Sequence, residues 1–401
     1  MNYIQKDTRE FRMVSIALFA GGFNTFAILY STQPLMPYLS REFAISPTVA
    51  SLSLSVTTCI LAVSMLIFGS LSEVLGRKPI MSFAIFTSSI LAVLTAFVPN
   101  FHGLLILRGL QGFVLAGLPA IAMAYISEEI DGASLGMVMG LYISGNSIGG
   151  MSGRIIIGVI TGLFNWRMAL ACIGILGVLA SVIFWTKLPA SKHFEPRSFE
   201  INKLLRSMVN HLKSPDLICL YCIGFLIMGS FVALYNFIGF QLVKPPYSLS
   251  STLVSFIFVI YVVGTFSSTF MGHLADTHGE HKVLYIALLT MFIGAFITLD
   301  IKLALKIIGI ALLTFGFFGC HSIVSGWIGK VATHDKAQAS SLYLLFYYVG
   351  SSVGGTAGGT FWSSYGWYGV VGMIVCFLSL AFFISIRLPS ITTVVNAQEH
   401  R

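Results

Sequence analysis

Three basic side chains lie more than one helical turn inside long apolar runs of this 401-residue chain: Arg108, Arg154 and His321. In hydrocarbon a charge costs about 2.5 kcal/mol or more, so such groups turn to a bundle interior or a wet cavity, find partners, and mark routes for solutes or protons. His321 is the one of the three whose imidazole ordinarily exchanges a proton near neutral pH. Its bland alternative is a packed, neutral ring bonded to a carbonyl. Arg108 comes with Gln111 one turn away, about 9 Å in from the start of its run. Tyr30, Gln33, Tyr235 and Asn236 fall at comparable depth in theirs. Such a set either binds a solute or passes protons, or it fixes helix packing through hydrogen bonds from the guanidinium to neighbouring carbonyls. Arg154 either snorkels to water or contacts an anion or a gate. Asn24 is either a ligand donor or an interhelical hydrogen-bonding group.

All fifteen Asp and Glu sit in polar segments or at the ends of the runs. Neither a carboxylate proton carrier nor a fixed counter-ion for a cationic solute is therefore expected at mid-membrane. No Gly-x-x-x-x-Gly-Lys-Ser/Thr phosphate loop, Ser-His-Asp set or metal-binding cluster is present, so catalysis, ATP drive, a metal and a cofactor are not expected. The six cysteines, Cys219-x-x-Cys222 among them, lie in apolar stretches and read as packing residues, with no disulfide framework.

The elements that must hold these residues follow from composition. The chain is 56% hydrophobic and 9% charged, against about 25% charged in soluble proteins. Apolar runs at 13–39, 48–71, 79–98, 103–126, 134–162, 166–187, 216–242, 251–271, 283–300, 303–328, 338–363 and 367–388 predict twelve spans. The first reads as retained, since Pro34-Leu-Met-Pro37 and no small-residue cleavage site follows it. Sixteen Lys and Arg lie in the tails, loops and span ends of the face carrying the N-terminus and five in those of the other, which predicts both termini in the cytoplasm. The net charge of +8 thus reads as membrane orientation, and nucleic acid is not an expected partner. The only long polar interruption, 188–213, predicts a cytoplasmic linker between bundles at 1–187 and 214–401, with 201–212 as a short amphipathic helix on the inner leaflet.

The two halves repeat. Residues 142–153 match 347–358 at an offset of 205, placing glycines 145, 149 and 153 on 350, 354 and 358. Gly145, Gly149 and Gly153, like Gly350, Gly354 and Gly358, keep to one helical face and predict a close backbone seam. The loop after span two, with Gly69, Glu73, Gly76, Arg77 and Lys78, matches Gly272, Asp276 and Gly279 after span eight at an offset of 203. There the glycines are expected to turn the chain, while the charges pair with each other or with helix ends.

These features resemble the major facilitator superfamily across essentially the whole chain: two six-helix halves, the cytoplasmic Gly-x-x-x-acid-x-x-Gly-Arg-Lys loop, Arg-x-x-Gln-Gly from Arg108, and Pro-x-x-Pro late in span one. The series Gly136, Gly145, Gly149 and Gly153 is similar to the antiporter motif of its drug and metabolite exporters, most like the bacterial acriflavin-sensitivity branch. The match departs at Gly150, where the motif has proline, at Arg154, where it ends in glycine, and at Val74, where the loop motif has arginine. The resemblance implies an all-α membrane protein of twelve helices in two parallel repeats, with spans one, four, seven and ten around a central cavity. It also implies Glu73 and Asp276 as latches of the outward-open state. The implied activity is proton-coupled export of a small organic solute across the bacterial inner membrane by a monomer. Uptake or exchange of an anionic or neutral metabolite is the alternative, favoured by two membrane arginines without an acid. A non-transporting sensor is disfavoured, since about a dozen residues flank the spans at each end and no signalling domain is added.

Reporter fusions are expected to place residues 1–12, the 188–213 linker and the C-terminus in the cytoplasm. A periplasmic signal from the linker would reverse the orientation.

Overall fold

The computed structural model describes residues 3–194 and 201–388, the side chains of 201–205 apart. Residues 195–200 of the expected linker and the chain after Leu388 lie outside the described residues. Among the described residues the secondary structure is helical, with one isolated bridge between Ile4 and Ile130.

Helix α1 (Arg9–Leu29) starts where the Thr8 hydroxyl accepts the Phe11 N–H at 3.2 Å. It stops short of the expected span end because Pro34 and Pro37 lie ahead. The chain resumes as a 3-10 turn, Gln33–Leu35, and α2 (Met36–Glu42). Then come α3 (Pro47–Leu75), capped by Ser46, and α4 (Arg77–Thr95). The fourth span is broken: α5 (Phe101–Leu115) gives way around Gly117 and Pro119, and α6 (Ala122–Glu129) completes it. Helices α7 (Leu135–Leu163) and α8 (Trp166–Lys187) follow. Short α9 (Ile201–His211) occupies the expected amphipathic stretch. The second set is α10 (Pro215–Leu242), α11 (Ser251–Ser255) continued by a 3-10 segment into α12 (Tyr261–His278), α13 (Glu280–Ile297), α14 (Leu303–Val331) and α15 (Lys336–Ile386).

Nine described segments are long and apolar enough to cross a membrane. One of them, α15, has 51 residues, more than twice the roughly 20 that one span needs, and it holds spans eleven and twelve, broken at Gly366 (φ 60°). Adding α5 with α6, and α7, which carries Asn146 and Arg154 among its apolar residues, brings the total to twelve.

The chain divides into two compact units, Met1–Phe199 with Leu242–Val259, and Glu200–Gln241 with Ile260–Arg401. In the first, α1 packs on α7 and α8, α4 on α8, and α3 on α5; in the second, α14 packs on α12 and α13. In each unit one close helix approach is glycine-lined. A Cβ on Gly145, Gly149 or Gly153 would fall 2.5, 2.2 and 2.7 Å from the backbone of Phe19, Phe23 and Ala27 on α1. Its repeat is the first arm of α15 on α10, where a Cβ on Gly350 or Gly354 would fall 2.2 and 2.4 Å from the backbone of Phe225 and Gly229. At Gly358 it would meet the Phe237 ring at 2.8 Å.

The paired loops are tighter than the sequence implies. Helix α3 runs to Leu75 and α4 starts at Arg77, so the turn is Gly76 alone, at φ 93°; Gly279 at φ 90° does the same between α12 and α13. Only glycine adopts such backbone without strain. The expectation that Gly69 and Gly272 also turn the chain is corrected here: both lie inside helices, and nothing comes within 4 Å of a Cβ on Gly69.

Gly149→Val is expected to lower thermal stability in detergent by about 1–3 kcal/mol, the cost of overpacking a backbone contact. Gly136→Ala, with nothing within 4 Å, should leave it unchanged. Equal losses in the two variants would contradict the seam.

Candidate functional site

The break after Leu29 leaves the last carbonyls of α1 inside the protein, where lipid offers no donor. Arg108, on α5 and 1% exposed, supplies them: Nη2 donates to Leu29 O at 2.5 Å and Nη1 to Ile28 O at 3.1 Å. Its Nε donates to Ser53 O on α3 at 2.7 Å, and Nη1 also reaches Gln111 Oε1 at 2.8 Å. Gln111 Nε2 continues to Thr95 Oγ1 at 3.3 Å, and the Thr57 hydroxyl returns to Arg108 O at 3.1 Å. Five N–H groups in a planar fork suit this task.

Tyr30 and Gln33 gather around Arg154 and not around Arg108. Arg154 Nε donates to Gln33 Oε1 at 2.6 Å and Nη1 to Gly150 O at 2.7 Å. The guanidinium lies 4.0 Å from the Tyr30 ring centroid and 5.1 Å from that of Phe258. At 2% exposure it does not snorkel to water. Asn24 bridges helices: Nδ2 donates to Ser89 Oγ on α4 at 2.9 Å and Ser181 Oγ on α8 at 3.2 Å.

In the second unit the Tyr235 hydroxyl shares a hydrogen bond of 2.8 Å with Thr314 on α14, and Asn236 is buried beside it on α10. His321 finds a phenol where a carbonyl was the expected partner. Its Nδ1 is 2.6 Å from Tyr343 Oη, and Tyr347 lies 4.7 Å away, ring to ring.

At the loop motifs the charges pair within each unit. Arg77 Nε and Nη2 donate to Glu128 at 3.1 and 2.6 Å, and Nη1 donates to Ser72 Oγ at 2.7 Å. Glu73 is more distant at 3.8 Å, and Lys78 donates to Leu188 O. In the repeat, Lys330 donates to Glu280 at 2.7 Å and to Asp276 at 3.3 Å. Arg77 and Glu280 both follow the turn glycine, while Glu128 and Lys330 both stand one residue before a helix end. The same pair thus occurs twice with its polarity reversed. Sequence reasoning passed over Glu128, Glu280 and Lys330, although Glu128 and Lys330 are separated by 202, close to the repeat offset. Among the described residues no group of three or more His, Cys, Asp or Glu could hold a metal ion.

Residues 18–244 and 229–399 match the family model described as Major Facilitator Superfamily. The chain is 55% identical to the uncharacterized MFS-type transporter YybF of Bacillus subtilis, with 96% of this chain and 95% of that protein covered. It is 44% identical to the inner membrane transport protein YnfM of Escherichia coli (96% and 93% covered) and 26% identical to the multi-drug resistance efflux pump PmrA of Streptococcus pneumoniae (94% and 96% covered). Among solved structures, a point mutant of the nucleoside transporter NupG shares the fold with a TM-score of 0.79 at 14% identity, over 94% of this chain and 99% of that one.

Arg108→Ala leaves Leu29 O without the donor that reaches it, at about 1–3 kcal/mol for a buried group left unpaired, strips Ile28 O and Ser53 O of one donor each while Ser31, Thr32 and Thr57 still reach them, and is expected to lower the unfolding temperature in detergent. Arg108→Lys should fare nearly as badly, because a point charge cannot reach three carbonyls and an amide together. An unchanged unfolding temperature in the alanine variant would refute the capping role.

Proposed function

The chain belongs to the Major Facilitator Superfamily and is a multi-pass membrane transporter of a small molecule; from that premise we propose proton-coupled export of a small organic solute across the bacterial inner membrane. Alternating access of two six-helix bundles, residues 1–187 and 214–401 joined by the 188–213 linker, would carry the solute, with both termini cytoplasmic and the protein monomeric.

One observation carries the proton coupling: among the three basic groups deep inside the expected apolar runs, His321 is the one that ordinarily exchanges a proton near neutral pH, and it is partly exposed with Tyr343 holding its Nδ1. Export draws on the span-five glycine series and on the similarity to PmrA. The solute path in this reading runs past Asn24, Tyr30, Gln33, Arg154, Arg108 and Gln111 in the first bundle. In the second it passes Tyr235, Asn236 and His321. Glu73, Arg77, Lys78 and Asp276 act as the cytoplasmic latch. A second reading, exchange of an anionic metabolite, is favoured by Arg108 and Arg154, two buried cations in spans whose sequence places every Asp and Glu at an end or outside.

In everted vesicles with an acidic lumen, a panel of labelled metabolites and dyes is expected to include a solute that accumulates only while the pH gradient stands. His321→Gln, which keeps a hydrogen-bonding amide but no group that exchanges a proton near neutral pH, should abolish gradient-driven accumulation while leaving a weakened exchange of the same solute. Undiminished gradient-driven accumulation by that variant would remove His321 from the proton path. Accumulation restricted to anions and indifferent to the gradient would favour the second reading.

A further inference from the structure

Building on the transporter reading, we infer that the second unit recognises a planar aromatic solute bearing an uncharged hydrogen-bonding group on its ring edge, at His321 and Tyr347. Three helices there present rings in near-parallel planes. Phe231 of α10 stacks on Phe317 of α14 with centroids 3.8 Å apart and planes 10° apart. The planes of Phe317 and His321 differ by 6°, and those of His321 and Tyr343 by 19°. Tyr347, one turn from Tyr343 on α15, faces His321 at 4.7 Å.

The cluster has a closed side and an open one. Phe231, Phe317 and Tyr343 are 4%, 1% and 2% exposed, whereas His321 and Tyr347 are only half-buried. Packing alone accounts for the closed side. On the open side Tyr343 holds His321 Nδ1, and Nε2 has no hydrogen-bond partner among the described residues. An imidazole nitrogen in a membrane span that the protein leaves unpaired faces water or a ligand. Aromatic faces reward offset stacking by another π-system and give a saturated ring no such gain. Nε2, with its ring angle fixed by Tyr343, can donate to or accept from a hydroxyl, carbonyl or ring N–H at the solute's edge. The titratable groups facing the imidazole are Tyr343 and Tyr347 of α15, and among the described residues no Asp, Glu, Lys or Arg is recorded in contact with it. The local chemistry therefore suits a neutral ring edge.

The test uses the full chain in nanodiscs, titrated with 1-naphthol and with its saturated counterpart decahydro-1-naphthol, and empty nanodiscs correct for partition into lipid. The expected result is saturable binding of naphthol and none of the saturated alcohol. Tyr347→Leu should weaken naphthol binding by about two- to tenfold, the worth of one aromatic contact. Tyr347→Phe, which keeps the ring, should retain wild-type affinity, and both variants should unfold at the wild-type temperature. Equal binding of the two alcohols, no saturable naphthol binding, or an unchanged Kd in Tyr347→Leu would overturn the inference. Gradient-driven transport is measured on the same preparations. Transport of panel compounds without naphthol binding removes the solute class and leaves the transporter reading. Naphthol binding without any gradient-driven movement leaves the site and removes the proton-driven reading.

Discussion

A helix that stops inside a bilayer must find donors for its last carbonyls, and much of the first unit is arranged around that need. Helix α1 ends at Leu29, and the guanidinium of Arg108 answers from α5, holding Ser53 of α3 in the same fork. Three helices are tied by one side chain. The chain that continues past the break is then free to turn, and its Tyr30 and Gln33 reach α7, where they surround Arg154. Without the cap on α1 the Arg154 site would lose two of its walls. A structural arginine and a site-forming one are thus consecutive links in one chain of contacts.

The second unit reaches a comparable end by different chemistry. Helix α10 runs unbroken from Pro215 to Leu242, so no interior carbonyls call for an arginine. Aromatic rings and hydroxyls occupy that volume, with Tyr235 on Thr314 and His321 on Tyr343. What the units do share is backbone geometry: glycine seams at equivalent places and single-glycine turns at Gly76 and Gly279. Close backbone approach tolerates few substitutions, whereas polar groups need only be satisfied by some partner.

The hydropathy runs and the offset near 205 make the twelve spans and their duplication legible before any coordinates, because burial in lipid imposes a length and a composition that water does not. Depth is legible too, since it follows from counting residues along a helix. Azimuth is not. Tyr30 and Gln33 share a level with both arginines, and only the rotation and packing of α1 and α7 decide which one they meet. The turn at Gly76 was readable from residue type, but Gly69 shows the limit: a glycine seven residues away in the same motif is simply helical. The partners of Arg77 and Lys330 were hidden for another reason. Each lies some fifty residues off in sequence, and a charge at a helix end gives no sign of which distant acid or base it will choose.

The reversed polarity of Arg77–Glu128 and Glu280–Lys330 has an evolutionary consequence. If the halves descend from one duplicated ancestor, one of the two pairs has exchanged its charges, and both ends cannot have changed in a single step. Any path passes through an ancestor with two like charges facing at contact distance, or through one in which the contact was neutral and weaker. The two positions in each half must therefore have drifted together, so among descendants of that duplication their signs should be inherited as a pair, while the neighbouring turn glycine stays fixed by its backbone.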